Sequence, residues 1–326
     1  MKEILIKDFF ENKKKDFALS MITEPKTLEN KITSPQLNRP GLALAGYFER
    51  FSADRVQIVG ETEISYLQSL KENIYYERMR ELFTNAIPLI IITKGLSFPT
   101  KIEQLANETN IAILSSRLST VNLIRNLSKY LNDYYAPEKT IHATLVDVFG
   151  LGIVLTGKSG IGKSECALDL VSRGHSLISD DSVTIRLIDD LLVGQPSRDF
   201  GHFMEIRGVG LVNVEKMFGI QRVRQSKEID MQIELMPWQE NMDYERIGLT
   251  SNYIEHLGIH IPIIYLPVSP GKSVSVIVEV AAMNMILKKY GYDAAEDYAK
   301  KLQEEIKRKT RLRNTITEQG MENFNG

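Results

Sequence analysis

The chain has 326 residues, 43% of them hydrophobic and 25% charged, enough for packed cores in two domains and ordinary for a water-soluble protein. A net charge of −2 gives no general attraction to nucleic acid or to an anionic membrane, so neither is expected as a partner. The single Cys166 excludes an internal disulfide and a cysteine-ligated zinc cluster; no apolar run reaches membrane-spanning length and the first residues lack a signal-peptide core, so a cytoplasmic location is expected.

Residues 1–132 read as an α/β domain of their own. Val56–Val59 and Ala86–Thr93 are expected strands, the second apolar enough to be buried on both faces. Thr62–Phe83 and Thr100–Glu108 have helical spacing, Ile111–Leu114 reads as a short strand, and Arg117–Tyr134 as a further helix. Asn38-Arg39-Pro40-Gly41 is a turn by composition. No catalytic constellation stands out in this half. Residues 133–140 lack periodicity and contain Pro137, which predicts a linker; residues 141–326 form the second domain.

The second domain opens on an alternating run, His142–Val148, that turns through Phe149-Gly150 into the β-branched strand Leu151–Thr156, a hairpin signal. Next come Gly157, Lys158, Ser159, Gly160, Ile161, Gly162, Lys163 and Ser164, filling every fixed position of G-x-x-x-x-G-K-[ST]. A helical segment follows and stops at Arg173-Gly174. Strand, glycine loop and helix together bring backbone N–H groups and the positive helix end to one point, where phosphates sit. Lys163 is expected on the β- and γ-phosphates and Ser164 on Mg²⁺, so the ligand is a nucleoside triphosphate such as ATP. His142, lying beside this loop, is as fit for a site role as for a core.

His175–Ser179 reads as a strand that ends in Asp180-Asp181, at the carboxyl edge where ligands of open parallel sheets collect. Two adjacent carboxylates can divide labour between Mg²⁺ and a substrate hydroxyl, with mutual repulsion raising one pKa. Met204, Glu205, Ile206, Arg207, Gly208, Val209, Gly210, Leu211, Val212 and Asn213 form a second unusual stretch. If it is a strand, Glu205 and Arg207 share one face, an acid and a guanidinium suited to metal and phosphate. Asn213 is placed to cap a helix over Val214–Phe218, stopped by Gly219. Arg246 says little alone. The strand Ile259–Val268 runs into the rigid turn Pro267, Val268, Ser269, Pro270, Gly271 and Lys272, followed by helices Val274–Tyr290 and Ala294–Arg308. The basic run from Lys307 is expected as a solvated helix end.

Taken together, the glycine loop, Arg173–Asp181, Met204–Val214, Pro267–Lys272 and Ala281-Ala282-Met283-Asn284 resemble the HPr kinase/phosphorylase family, strongly over the C-terminal half. Asn38–Gly46 adds a suggestive match in the N-terminal half. The resemblance implies an α/β fold with an N-terminal α/β domain and a C-terminal P-loop kinase domain like the core of phosphoenolpyruvate carboxykinase. It implies a homo-hexamer that phosphorylates a serine of the phosphocarrier protein HPr and reverses this with inorganic phosphate, releasing pyrophosphate. On the same ground Asp181 is the base with Asp180 beside it, Ser164 and Glu205 ligate Mg²⁺, and His142, Lys163 and Arg246 complete the site. Met204–Asn213 serves both directions and Pro267–Lys272 the reverse one. The family usually has arginines where this chain has Ser269 and Lys272. Competing readings are a small-molecule or carboxykinase-like kinase and a nucleotide-gated regulator without chemistry; no Asn-Lys-x-Asp guanine motif occurs.

Overall fold

A computed structural model of the chain describes residues 2–197, 201–238, 252–269 and 271–322. It divides into two compact units, Met1–Ala136 and Pro137–Gly326. The first is a five-stranded sheet of β1 (Leu19–Met21), β2 (Leu37–Asn38), β3 (Val56–Val59), β4 (Leu89–Ile92) and β5 (Ala112–Ser116), in spatial order β1-β5-β4-β3-β2. All neighbours are parallel except the antiparallel edge strand β1. Helices α1 (Glu61–Ser69), α2 (Glu72–Phe83) and α3 (Thr100–Glu108) cover the face that carries Val59, Ile90, Ile92 and Ile113. Helix α4 (Thr120–Tyr135) covers the face of Ile58, Leu89 and Ile91 with Leu123, Leu127 and Leu131. The single helix expected over Thr62–Phe83 is two, because Leu70 and Lys71 turn extended and let each piece bury its own apolar stripe. The segment 133–140, expected as a linker, is taken up by the end of α4 and the start of the next strand, so the units join at Ala136 and Pro137.

In the second unit β6 (Glu138–Ile141) is followed by the hairpin β7 (Thr144–Val148) and β8 (Leu151–Gly157), then α5 (Lys163–Ser172) and β9 (Ser176–Ser179). β10 (Val183–Ile188), β11 (Leu191–Pro196), the small hairpin β12 (Phe203–Ile206) and β13 (Gly210–Asn213), and the short helix α6 (Val214–Phe218) come next. The unit ends with β14 (Lys227–Glu228), β15 (Met231–Pro237), β16 (Asn252–His256), β17 (Ile259–Val268), α7 (Val274–Lys289) and α8 (Ala294–Glu322). The main sheet has the order β9-β7-β8-β15-β17-β16 and is mixed rather than parallel, since β7 and β16 run against their neighbours. β8, β15 and β17 are parallel, so their carboxyl ends share one edge.

One face of this sheet packs on α5 and α7, joining Ile153, Leu155, Ile233 and Leu235 to Leu170, Val171, Val278 and Ala282. The other packs on the antiparallel sheet β14-β11-β10-β6 through Leu145, Val154, Ile178, Val183 and Ile185. Both faces of β7 are therefore covered, and every one of its residues is buried. The hairpin expected from His142–Val148 and Leu151–Thr156 is present. Asn213 does cap α6, its Oδ1 accepting from the Lys216 N–H at 2.9 Å. Helix α8 continues to Glu322, so the basic run from Lys307 is not a helix end.

Candidate active site

The glycine loop leaves the carboxyl end of β8 and opens α5, as its flanks predict. Gly157 has φ +135°, and a Cβ there would lie 2.4 Å from the Leu235 carbonyl oxygen of the neighbouring strand. Only glycine lets β8 turn into the loop this close to β15. Lys163, 7% exposed at the first turn of α5, donates from Nζ to the carbonyl oxygens of Gly157 at 3.1 Å and Lys158 at 3.4 Å. Its ammonium is thus folded into the loop.

The aspartate pair sits just after β9, at the same edge of the sheet, and the two carboxylates have different surroundings. Asp180 turns inward. Its Oδ1 accepts from the Thr144 hydroxyl at 2.6 Å, and its Oδ2 from the Ser164 hydroxyl at 2.8 Å. Burial pushes its carboxyl above the usual carboxylate range, against those two hydroxyl bonds, with the charge of Asp181 a lesser contributor. The asymmetry expected from repulsion between the two acids therefore comes chiefly from desolvation. Asp181 turns outward, with a side chain 81% exposed, and its Oδ1 lies 3.0 Å from His142 Nδ1. A neutral imidazole protonated on Nδ1 would donate this bond and fix the direction of the carboxylate. Asp181 has φ +65°, in the left-handed region that most side chains avoid.

Opposite the loop stands the hairpin β12–β13, anchored by Met204, which is 1% exposed in the core beneath α5. Ile206 turns to that core and Glu205 away from it, as the alternation predicts. Arg207 departs from the expectation: it is not on the strand with Glu205 but in the turn, because Gly208 and Gly210, with φ of +83° and +98°, reverse the chain there. From that turn its guanidinium leans over the loop, so close that a Cβ on Gly160 would lie 3.0 Å from Nη2. His142, Lys163, Ser164, Asp180, Asp181, Glu205 and Arg207 all line one cleft of about 560 Å³. Arg246 and Pro270 lie outside the described residues. Ser269 and Lys272 follow the carboxyl end of β17, and Lys272 Nζ stands 5.3 Å from the Trp238 ring centroid.

Two contributors were not legible from motifs. Thr144, fully buried, orients Asp180 across 36 residues of sequence; a lone hydroxyl within an apolar strand is its only signal. Behind the loop, His256 Nε2 pairs with Gln232 Oε1 at 2.9 Å, and Gln232 Nε2 donates to Thr156 Oγ1 at 2.9 Å. Burial, and then the charge of Lys139, lowers the His256 pKa to about 4. Burial pushes the Cys166 thiol up to about 12, which removes it as a nucleophile.

Among the described residues no cluster of three or more His, Cys, Asp and Glu side chains could hold a metal alone. Ser164, Asp180 and Glu205 offer oxygen atoms in the same cleft. That donor set fits Mg²⁺, which at phosphate sites takes one or two carboxylates and completes its shell with water and substrate phosphates.

Family models described as "HPr Serine kinase N terminus" and "HPr Serine kinase C-terminal domain" match residues 4–131 and 133–302. The HPr kinase/phosphorylase of Caldanaerobacter subterraneus subsp. tengcongensis is 41% identical over 293 residues, covering 90% of this chain and 96% of that protein. The HPr kinase/phosphorylase of Geobacillus kaustophilus is 38% identical over 307 residues, covering 94% and 97%. The solved Hpr(Ser) kinase/phosphatase from Coxiella burnetii aligns with a TM-score of 0.45 at 31% identity, over 49% of this chain and 98% of that one. Matched over both units, this chain belongs to the HPr serine kinase family.

Proposed function

We propose that the chain transfers the γ-phosphoryl group of ATP to a serine hydroxyl of the phosphocarrier protein HPr, and returns it to inorganic phosphate as pyrophosphate. The serine kinase/phosphorylase activity is that of its family; the roles of individual residues are our reading. The observation that carries this reading is the split aspartate pair: one carboxylate bonded to the hydroxyl of the phosphate loop, the other free in the cleft and held by an imidazole.

In the forward direction the loop N–H groups and Lys163 hold the β- and γ-phosphates. Asp181, oriented by His142, accepts the serine proton as the serine oxygen bonds to the γ-phosphorus and the bond to the β-phosphate oxygen breaks. Arg207 lies where negative charge gathers on the transferring group. Asp180 accepts the Ser164 proton in a hydrogen bond, leaving the lone pairs of that hydroxyl facing the cleft. Mg²⁺ held by Ser164 and Glu205 would neutralise phosphate charge. In reverse, an oxygen of inorganic phosphate bonds to the phosphoserine phosphorus, the serine oxygen leaves with the proton of Asp181, and pyrophosphate departs. Met204–Asn213 serves both directions, Arg246 completes the site, and Pro267–Lys272 receives the attacking phosphate.

We also propose a cytoplasmic homo-hexamer. Exposed Val276, Val280, Met283 and Leu287 along α7 favour self-association, which light scattering would read as six copies. No helix among the described residues is long and apolar enough to cross a membrane. Incubation with HPr, Mg²⁺ and ATP should label HPr on serine, and later excess phosphate should release pyrophosphate; label on a metabolite instead of HPr would contradict the assignment.

A further inference from the structure

Two motifs have no task in the reaction above: Arg173-Gly174-His175 at the end of α5, and Glu279 with the residues after it on α7. The fold sets them against each other. Glu279, with 17% of its side chain exposed, lies with Oε1 3.0 Å from Nε2 of His175 and Oε2 3.5 Å from Nη1 of Arg173. Arg173 also donates from Nε to Asp169 at 3.1 Å, and Asp169 accepts from the Ser275 hydroxyl. Phe149 closes edge-on over His175, with ring centroids 4.6 Å apart. A polar seam thus runs beside the apolar contact of the two helices, where Leu170 and Val171 meet Val278 and Ala282.

Apolar packing sets how far apart two helices lie, but small smooth side chains resist sliding along the axes only weakly. A half-desolvated carboxylate between a guanidinium and an imidazole does resist it, because each displacement leaves a charge without its partner. What the seam joins is specific. α5 opens directly on the phosphate loop, and α7 begins two residues after Lys272. The two loops leave β8 and β17 at one sheet edge with β15 between them, about 10 Å apart by two strand spacings.

We propose that Glu279 is a positioning residue for phosphoryl transfer: by clamping α7 to α5 it holds Ser269 and Lys272, at the end of β17, in register with the phosphate loop, and so sets the affinity for inorganic phosphate. The inference rests on the assignment of Pro267–Lys272 to the attacking phosphate. Glu279 touches no reacting atom and acts through the helices it joins.

Trp238 is the only tryptophan of the chain, and its place beside Lys272 makes its emission a reporter of the loop. The full-length protein with Mg²⁺ is titrated with inorganic phosphate while Trp238 fluorescence is followed, and KM is measured in both directions. Glu279→Gln should raise the half-saturating phosphate concentration and the KM for phosphate by about tenfold, with the KM for ATP moving less than about twofold. Ser275→Ala, at the other end of the seam, should move the same quantities by about two- to threefold and serves if Glu279→Gln melts below the assay temperature. Equal changes in both KM values, or an unchanged phosphate titration in both variants, overturns the positioning role while leaving the loop assignment intact. Wild-type emission and turnover that are both indifferent to phosphate overturn the loop assignment, and this proposal with it.

Discussion

Each unit contains a strand–glycine–helix junction at the carboxyl edge of a sheet, yet only one of the two is capped by an acid of its own helix. In the first unit β3 ends at Val59, Gly60 follows and α1 starts at once. The Gly60 N–H is bonded at 3.0 Å to Oε2 of Glu63, a buried carboxylate that Arg39 pairs at 2.8 Å. The positive end of that helix is already occupied by the chain's own acid. In the second unit five residues separate Gly157 from Lys163, and the loop curls into a cup whose lysine, among the described residues, bonds loop carbonyls. The acid that serves this junction, Asp180, comes from another strand and binds the Ser164 hydroxyl rather than the N–H groups. Loop length and the origin of the acid, not the strand–glycine–helix pattern itself, decide whether a junction caps itself or stays open to an anion.

The largest expected effect breaks the open junction's chemistry while sparing its cup. Asp181→Asn should lower phosphoryl transfer to HPr by roughly 10³-fold with ATP affinity within about twofold, read by single-turnover labelling and nucleotide binding. Transfer within tenfold of wild type would mean that another group takes the proton. A pair of alanine substitutions then sharpens the contrast between the glycines. Gly157→Ala meets a backbone oxygen and a positive φ, so it should cost about 1–3 kcal/mol and abolish ATP binding. Gly60→Ala meets side chains rather than backbone, the Thr120 hydroxyl at 2.9 Å and the Glu63 carboxylate at 3.2 Å, at a negative φ, so melting should fall by less and ATP titrations should match wild type. If both variants lose nucleotide equally, the two junctions are not different in kind.

Ser269→Arg supplies a bidentate donor to the loop we assign to inorganic phosphate. Phosphorolysis should rise by about three- to tenfold with kinase turnover unchanged, and an unchanged phosphorolysis rate counts against the role of that side chain. The smallest effect concerns the network behind the cup. His256 has its pKa lowered from 6.5 to about 4, so the unfolded chain binds a proton that the folded chain refuses between those values. Stability should therefore fall as pH drops from 6.5 toward 4 and level off below. His256→Gln should flatten that slope in thermal melts recorded across the window, and an equally steep slope in the variant removes His256 as its source.

Much of the candidate cleft was legible because its glycine loop is local: the glycines, Lys163 and Ser164 lie within eight consecutive residues, and flanking periodicity supplied strand and helix. The aspartate pair could be placed from its distance down the chain. What it could not reveal was which acid turns inward, since that depends on Thr144 from a strand paired to β9 and on the burial the two sheets create. The Met204–Asn213 stretch misled for a physical reason. Glu205 and Arg207 share a face only if one strand runs through both, whereas the positive φ values of Gly208 and Gly210 fold the stretch into a hairpin with Arg207 at its turn. The Glu279 seam escaped altogether, because it joins residues about 100 positions apart that are each unremarkable on their own helix.

The left-handed backbone of Asp181 has a consequence for anyone who improves this protein by selection. Glycine is more at ease at φ +65° than aspartate, and the exposed pair with His142 adds little to the fold. A library sorted for heat resistance alone should therefore enrich glycine at position 181, and its most robust survivors would be catalytically silent.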